Sequence, residues 1–155
     1  MSISWRPQMA VDHGMIDDDH RIIIAISNEF IAIDGALPTA AELLAILRKL
    51  KRYTLSHLDR EQKLQKEIRY PYADAHEYQH KDLIKRLDNM KMKFKKEQTQ
   101  EELAANYRSV AELLRTWFID HIIHSDLRMR PFAAVMRRLE TGIVDLSRAV
   151  VPAPL

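Results

Sequence analysis

The sequence predicts an all-α protein: an antiparallel up-down four-helix bundle with an irregular N-terminal arm and an extra C-terminal helix. Three observations point there. Apolar residues recur at alternating spacings of three and four along several stretches, the period of a helix that buries one stripe. Only three glycines occur in 155 residues, so long uninterrupted helices are affordable to the chain. Two capping boxes, Thr39-Ala40-Ala41-Glu42 and Thr99-Gln100-Glu101-Glu102, each stand directly before a new stripe.

The elements follow in order. Residues 1–16 contain Pro7 and Gly14, show no helical period and read as an arm with Trp5 as its packing anchor. Asp17, Asp18 and Asp19 are expected to open the first helix, because acidic side chains complement free N–H groups there. That helix should run to about Asp34 and stop at Gly35. The second starts at the Thr39 box, with an inward stripe of Leu43, Leu47, Leu50, Thr54, His57, Glu61, Leu64 and Ile68, and Tyr70-Pro71 should break it. The third begins near Asp74 and carries His76, His80, Leu83, Leu87, Met90 and Phe94 on one face; the basic run 91–96 reads as a solvated helix end. The fourth opens at the Thr99 box with Leu103, Tyr107, Val110, Leu114, Trp117 and His121, and Pro131 should end or bend it. A fifth helix is expected from Phe132 to about Ala149, with Val135, Met136, Leu139, Ile143 and Leu146 on one face, followed by a frayed tail. The organisation is therefore a bundle over 1–130 and an extension over 131–155, the latter read as an added helix or a face for self-association or a signalling contact.

Composition narrows the function. The chain is 46% hydrophobic and 30% charged, a globular, helix-rich profile. A net charge of +2 is too small to imply nucleic acid. There is no cysteine, which excludes a disulfide, a zinc ribbon and a thiol nucleophile. No stretch is apolar enough to span a membrane, and no signal-peptide pattern opens the chain. A cytoplasmic location is the expectation.

What remains is a set of metal-ligand types at helical spacing: His20, His57 with Glu61, His76 with His80, and His121 with Asp126. Residues i and i+4 share a helix face about 5–6 Å apart, so each such pair can aim two donors inward. In an up-down-up-down chain the start of helix one, the end of two, the start of three and the end of four meet at the same end of the bundle. Glu61 and Asp126 are the carboxylates of the set and the natural bridges between two cations. If His76, His80 and His121 serve one ion, His20 and His57 the other, and both share the two carboxylates and a solvent-derived oxygen, the second keeps one position open for a small ligand. The nitrogen and oxygen donors, without sulfur, suit iron, zinc or manganese better than calcium or magnesium. One geometric difficulty stands: His121 and Asp126 are five residues apart, about 140° on an ideal helix, and His124 would align better unless the bridging carboxylate sits to one side of the stripe or the helix loosens before Pro131. Spacing leaves that choice open. Glu77-x-x-His80 looks like half of a ferritin-type di-iron motif, but no second copy occurs, so a ferritin-like oxidase is disfavoured.

In order and spacing, Trp5, Ile16-Asp17-x-x-His20, His57-x3-Glu61, Tyr70-Pro71, His76-x3-His80 and Trp117-x3-His121-x4-Asp126 resemble the hemerythrin family, specifically its bacterial members, over about residues 5–130. The resemblance implies two non-haem iron ions, bridged by Glu61, Asp126 and an oxo or hydroxo group, that bind O2 reversibly. It implies that His20 and His57 hold the O2-binding iron, and it selects Asp126 over His124. Ile23, Ile24, Trp117, Phe118 and Ile122 lie within a turn of His20 or His121 and are expected to line a dry O2 pocket. Gln62 stands where many members carry a second acid, and it is expected to face away. Tyr53, one turn before His57, is within reach of a hydrogen bond near the site but is read first as packing, and His13 and His124 as solvent-facing or supporting residues. The leading function is an O2 carrier for storage, delivery or scavenging, not an enzyme. The alternatives are an O2 or redox sensor acting through the C-terminal helix, and a di-iron enzyme with weak peroxide or nitric-oxide chemistry.

Overall fold

The stripes read on the second, third and fourth helices face the interior of the computed structural model, which describes residues 1–33, 36 and 38–142. On α2 (Ala40–Glu67), Leu43, Leu47, Leu50, Thr54, His57, Glu61 and Leu64 are buried; on α3 (Ala73–Met92), His76, His80, Leu83, Leu87 and Met90 are. On α4 (Gln100–His124) the buried line includes Leu103, Val110, Leu114, Trp117 and His121. Both predicted capping boxes form: Thr39 accepts from the Glu42 amide and Thr99 from the Glu102 amide, with each glutamate reaching back to the cap. α1 (Met15–Ile31) packs against α2 and α4, and α3 packs against the same two helices, so the four close a ring. No strand occurs among the described residues.

The first helix starts differently from the expectation. α1 begins at Met15, and the side chain that caps it is Asp12. The Asp12 carboxylate accepts from the amides of Gly14 (2.9 Å), Ile16 (3.2 Å) and Asp17 (3.2 Å). Asp17 instead folds back to accept from the amides of Val11 (2.7 Å) and His13 (2.8 Å), which pins the arm. Of the three consecutive aspartates only Asp18 is exposed. The arm is also stitched to α1 where Ile3 and Asn28 exchange two hydrogen bonds of 2.8 Å. Trp5 packs against the core with the Arg21 guanidinium 4.7 Å from its ring centre.

Two other boundaries move. α2 ends at Glu67, ahead of Pro71: Arg69 adopts a left-handed φ of 53°, and the Tyr70 amide closes back on the Gln65 carbonyl at 2.8 Å. Pro131 does not end α4, which stops at His124; it lies inside a 3-10 segment, Asp126–Phe132. The fifth helix is described as α5, Ala133–Glu140. Asp34, Gly35, Ile143, Leu146 and the tail 151–155 lie outside the described residues.

The core is split. A large cluster runs from Ile23 and Phe30 through Leu47, Leu83, Leu87 and Leu114 to Trp117 and Phe118. A second joins Val11, Ile16, Leu64, Ile68, Tyr70, Met129, Phe132 and Met136. The candidate ligands fall between them in sequence: Ile16 precedes His20 by one turn and Ile23 follows it, while Leu58 and Leu64 flank Glu61. A polar layer is thus sealed on both sides by apolar packing. Burying each Leu or Phe side chain of these clusters contributes roughly 1.5–3 kcal/mol.

The extension closes the second cluster and clamps the arm. Arg130 donates to the carbonyls of Ala10 (2.6 Å) and Gln8, and Arg137 to that of Asp12 (2.8 Å). α5 comes close to the start of α1: a Cβ added to Gly14 would lie 2.6 Å from Glu140 Oε2. Burial and the neighbouring Asp12 carboxylate push the Glu140 carboxyl up from 4.5 to about 7, against a smaller pull from the Met15 amide. Because the folded pKa is raised, the Glu140 contribution to stability is full below about pH 4.5 and is lost as pH rises through about 7. A Glu140→Gln variant should therefore remove a loss of α5 protection between those values, read by hydrogen exchange of amides 133–140 against pH. Identical pH profiles in the two proteins would refute the contact.

Candidate metal centre

Four helices and the 3-10 segment bring the seven predicted residues to one place. His20 comes from the first half of α1, His57 and Glu61 from the second half of α2, His76 and His80 from the start of α3, and His121 from the end of α4. Asp126 arrives because α4 stops. Ser125 leaves the helical region at φ −125°, ψ −62°, and Asp126 opens the 3-10 segment. That break carries the carboxylate back to His121, at 3.0 Å, and removes the mismatch an unbroken helix would impose. His124 is exposed, as is His13.

The seven are all buried, and they divide into two overlapping groups. Glu61, His76, His80, His121 and Asp126 form one; His20, His57, Glu61 and Asp126 form the other; within each, the donor atoms lie within 4.8 Å of one another. The two carboxylates split their oxygens between the groups. Glu61 Oε1 lies 2.8 Å from His76 Nε2 and 3.2 Å from His80 Nε2, while Oε2 lies 3.4 Å from His57 Nε2. Asp126 Oδ1 is 3.0 Å from both His76 and His121 Nε2, while Oδ2 is 3.2 Å from His20 Nε2.

This arrangement fits a pair of cations. All five Nε2 atoms, Glu61 Oε2 and both Asp126 oxygens are buried without a hydrogen-bond partner. Such groups cost free energy unless something positive satisfies them. Donor separations near 3 Å match neighbouring corners of an octahedron with bonds of about 2.1 Å. Burial opposes charge on both carboxylates, and the Asp126 charge adds to that at Glu61, but the surrounding histidines hold both well below the ordinary range. Burial likewise works to lower His57 and His76, and the carboxylates around them outweigh it, lifting His57 to about 9 and His76 to about 10. At His80 burial wins and the pKa falls.

Several supporting residues escaped the sequence reading. Asp19 Oδ2 faces His57 Nδ1 at 3.2 Å and accepts from Arg60 Nε at 2.9 Å; Asp19 Oδ1 accepts from the Tyr53 hydroxyl at 2.9 Å. Tyr53 is therefore more than packing. Gln62, expected to face away, points its amide at His80 Nδ1 from 3.3 Å, so it supports that ring. Gln65 donates to Glu61 Oε1 (3.1 Å) and to Met129 Sδ (3.2 Å), joining the centre to the second core cluster. Tyr70, read as part of a helix breaker and of the family pattern, has a buried hydroxyl with no partner and a pKa pushed up by burial to about 12. Tyr53 and Gln65 carried a sequence signal, a spacing of four from His57 and Glu61, which any helix provides by chance; Asp19, Gln62 and Tyr70 carried no such spacing. Glu77 is half-exposed and pairs with Lys81 at 2.9 Å, which leaves the ferritin-like motif without its carboxylate in the centre.

The five residues expected around an O2 pocket are all buried. Phe118 stands edge-on to His20 and His57, with ring centres 5.3 and 5.9 Å apart. Trp117 packs on Phe118 and donates its indole N–H to the Leu83 carbonyl at 3.0 Å.

Comparison with known proteins agrees with this geometry. The chain is 28% identical over 122 residues to the Bacteriohemerythrin of Stenotrophomonas maltophilia (strain R551-3), covering 79% of this chain and 75% of that one. It is 26% identical to the Bacteriohemerythrin of Pseudomonas aeruginosa (strain UCBPP-PA14) over the same shares. No solved structure gives a significant match. The profile of the family described as "Hemerythrin HHE cation binding domain" matches residues 12–133. With that match across most of its length, the chain belongs to the hemerythrin family.

Proposed function

We propose that this protein binds O2 reversibly at a non-haem di-iron centre and acts as a carrier or scavenger of O2 rather than as a catalyst. The observation that carries the reading is the split of carboxylate oxygens between a group with three imidazoles and a group with two. Two shared carboxylates and unequal nitrogen counts would offer five protein donors to one ion and four to the other, so the second has more room for a small ligand. Iron, when bound, supplies the electrons that hold O2 and take part in its release.

The chain's own residues do the rest. His76, His80 and His121 would hold one ion, His20 and His57 the other, with Glu61 and Asp126 spanning both. Phe118, wedged against His20 and His57, would cover the side with fewer ligands; Trp117 packs on it, Ile23 and Ile122 belong to the same core cluster, and buried Ile24 is proposed to complete the wall. An apolar wall keeps water from competing for the open position and from carrying off a reduced oxygen species. No helix among the described residues is long and apolar enough to cross a membrane.

Metal analysis together with the optical spectrum of the reduced protein tests the reading. Two irons per chain and a charge-transfer band that appears with O2 and fades on its removal are expected. One iron per chain, or a spectrum indifferent to O2, would remove it. The wall can be tested separately. Phe118→Leu should shorten the lifetime of the oxygen-dependent band about tenfold, the equivalent of about 1.4 kcal/mol at the barrier. An unchanged lifetime would show that Phe118 does not exclude water.

A further inference from the structure

We propose that Asp19, gripped by Arg60 and Tyr53, is a positioning residue that fixes His57 for one of the two ions and not for the other. The inference rests on the two-ion reading above. It concerns a network that the ligand pattern does not contain.

Asp19 directly precedes His20, so its side chain leaves α1 about 100° away from the ligand stripe. There it meets α2, where Tyr53, His57 and Arg60 lie at i, i+4 and i+7 and present one face. All three converge on the one carboxylate. Arg60 reaches both oxygens through Nη2 at 2.8 Å and Oδ2 through Nε at 2.9 Å. Tyr53 donates at 2.9 Å and His57 Nδ1 lies at 3.2 Å. Asp19 itself is only 6% exposed. Burial opposes its charge, and the guanidinium fork of Arg60 with the Tyr53 hydroxyl satisfies that charge in place.

Three consequences follow for His57. An ionised acceptor at Nδ1 places the ring proton there, which leaves the Nε2 lone pair facing Glu61 Oε2 and the centre. The hydrogen bond fixes the ring plane. The negative partner also makes Nε2 a stronger donor to a cation. Arg60 keeps this arrangement stable, because a fork of two nitrogens holds the carboxylate in one orientation and prevents it from swinging inward as a ligand.

The other imidazoles around the centre are not treated alike. His80 Nδ1 faces the neutral amide of Gln62, and His20 Nδ1 is buried with no partner. The group with fewer nitrogens therefore contains one histidine backed by a full negative charge and one backed by nothing. Removing Asp19 should weaken the ion held by His20 and His57 selectively. A plain inter-helix ion pair would instead affect both ions, or neither.

Co2+ titration of the metal-free protein against a competing chelator tests this, with helicity followed by circular dichroism. The wild type should take up two ions. Asp19→Ala should keep one ion at nearly wild-type affinity and bind the other about 10–100-fold more weakly. Arg60→Met should give a smaller loss at the same ion. If the alanine variant loses helicity, Asp19→Asn, of equal size, carries the test and should still weaken the same ion. In Co2+-loaded wild type, one strongly shifted exchangeable proton from His57 Nδ1 should appear by NMR and move in Asp19→Asn. Equal weakening of both ions, or unchanged binding of both, overturns the proposal while the two-ion centre stands. Fewer than two ions in the wild type overturns the two-ion centre itself, and this proposal with it.

Discussion

Replacing Glu61 by Gln is expected to empty the centre of both ions in a single step. Glu61 offers oxygens to both groups from within the regular turns of α2, with Oε1 toward His76 and His80 and Oε2 toward His57. An amide keeps the size but has one weak acceptor where the carboxylate has two charged ones. Each ion then loses an anionic ligand and the link to its partner. Losses of 10–100-fold accompany removal of groups that merely support a ligand, so loss of a shared ligand should reach at least about 100-fold for each ion. Iron content after desalting should fall from two per chain to near zero. Two irons retained would end the assignment of Glu61 as a bridge. The metal-free variant should also be weaker than the metal-free wild type, because His57 and His76 lose their buried counter-charge. Breaking a buried pair on one side costs about 3–5 kcal/mol.

Removal of metal from the unaltered protein should have the second largest effect. Five imidazole nitrogens and two carboxylates are packed into a volume from which water is excluded, and most of these atoms have no partner of their own. A ligand present at a thousandfold above its Kd stabilises by about 4 kcal/mol, and two ions double that. For a chain of this size each kcal/mol shifts Tm by about 2–4 °C, so a chelator should lower Tm by roughly 15–30 °C. Calorimetry with and without chelator measures it, and a shift of only a degree or two would show that the cluster is satisfied by protons rather than by cations. Acid should act in the same direction. Neutral imidazoles are required for binding, so protonation competes with the metal.

Much of this was legible in one dimension because helices are local objects. The stripes on α2, α3 and α4 are fixed by a spacing that the chain carries in itself, and the two threonine boxes satisfy amides three residues away. The convergence of His20, His57, Glu61, His76, His80 and His121 follows from alternating helix direction and short connections. Where the reading went astray, the deciding contact came from elsewhere in the chain. The start of α1 is set by Asp12 in the arm, not by the aspartates within the helix. The end of α2 is set by a left-handed Arg69 rather than by Pro71. Gln62 and Tyr53 gained roles only when α3 and α1 came within reach.

The choice between His124 and Asp126 shows the division most plainly. Residue types and periods alone determined an all-helical bundle, six inward donors at one level, and the absence of any sulfur chemistry. They allowed a loosening before Pro131 but could not place it at Ser125, because that break is stabilised by burial of Met129 and Phe132 in one cluster with Val11, Ile16 and Leu64, residues far away in sequence. The same is true of the carboxylate behind His57: its oxygens are reached by side chains 34 to 41 residues distant. Periodicity reports which way a side chain leaves its own helix. Which group it meets depends on the rotation and depth at which the neighbouring helix packs, and only the assembled bundle sets those.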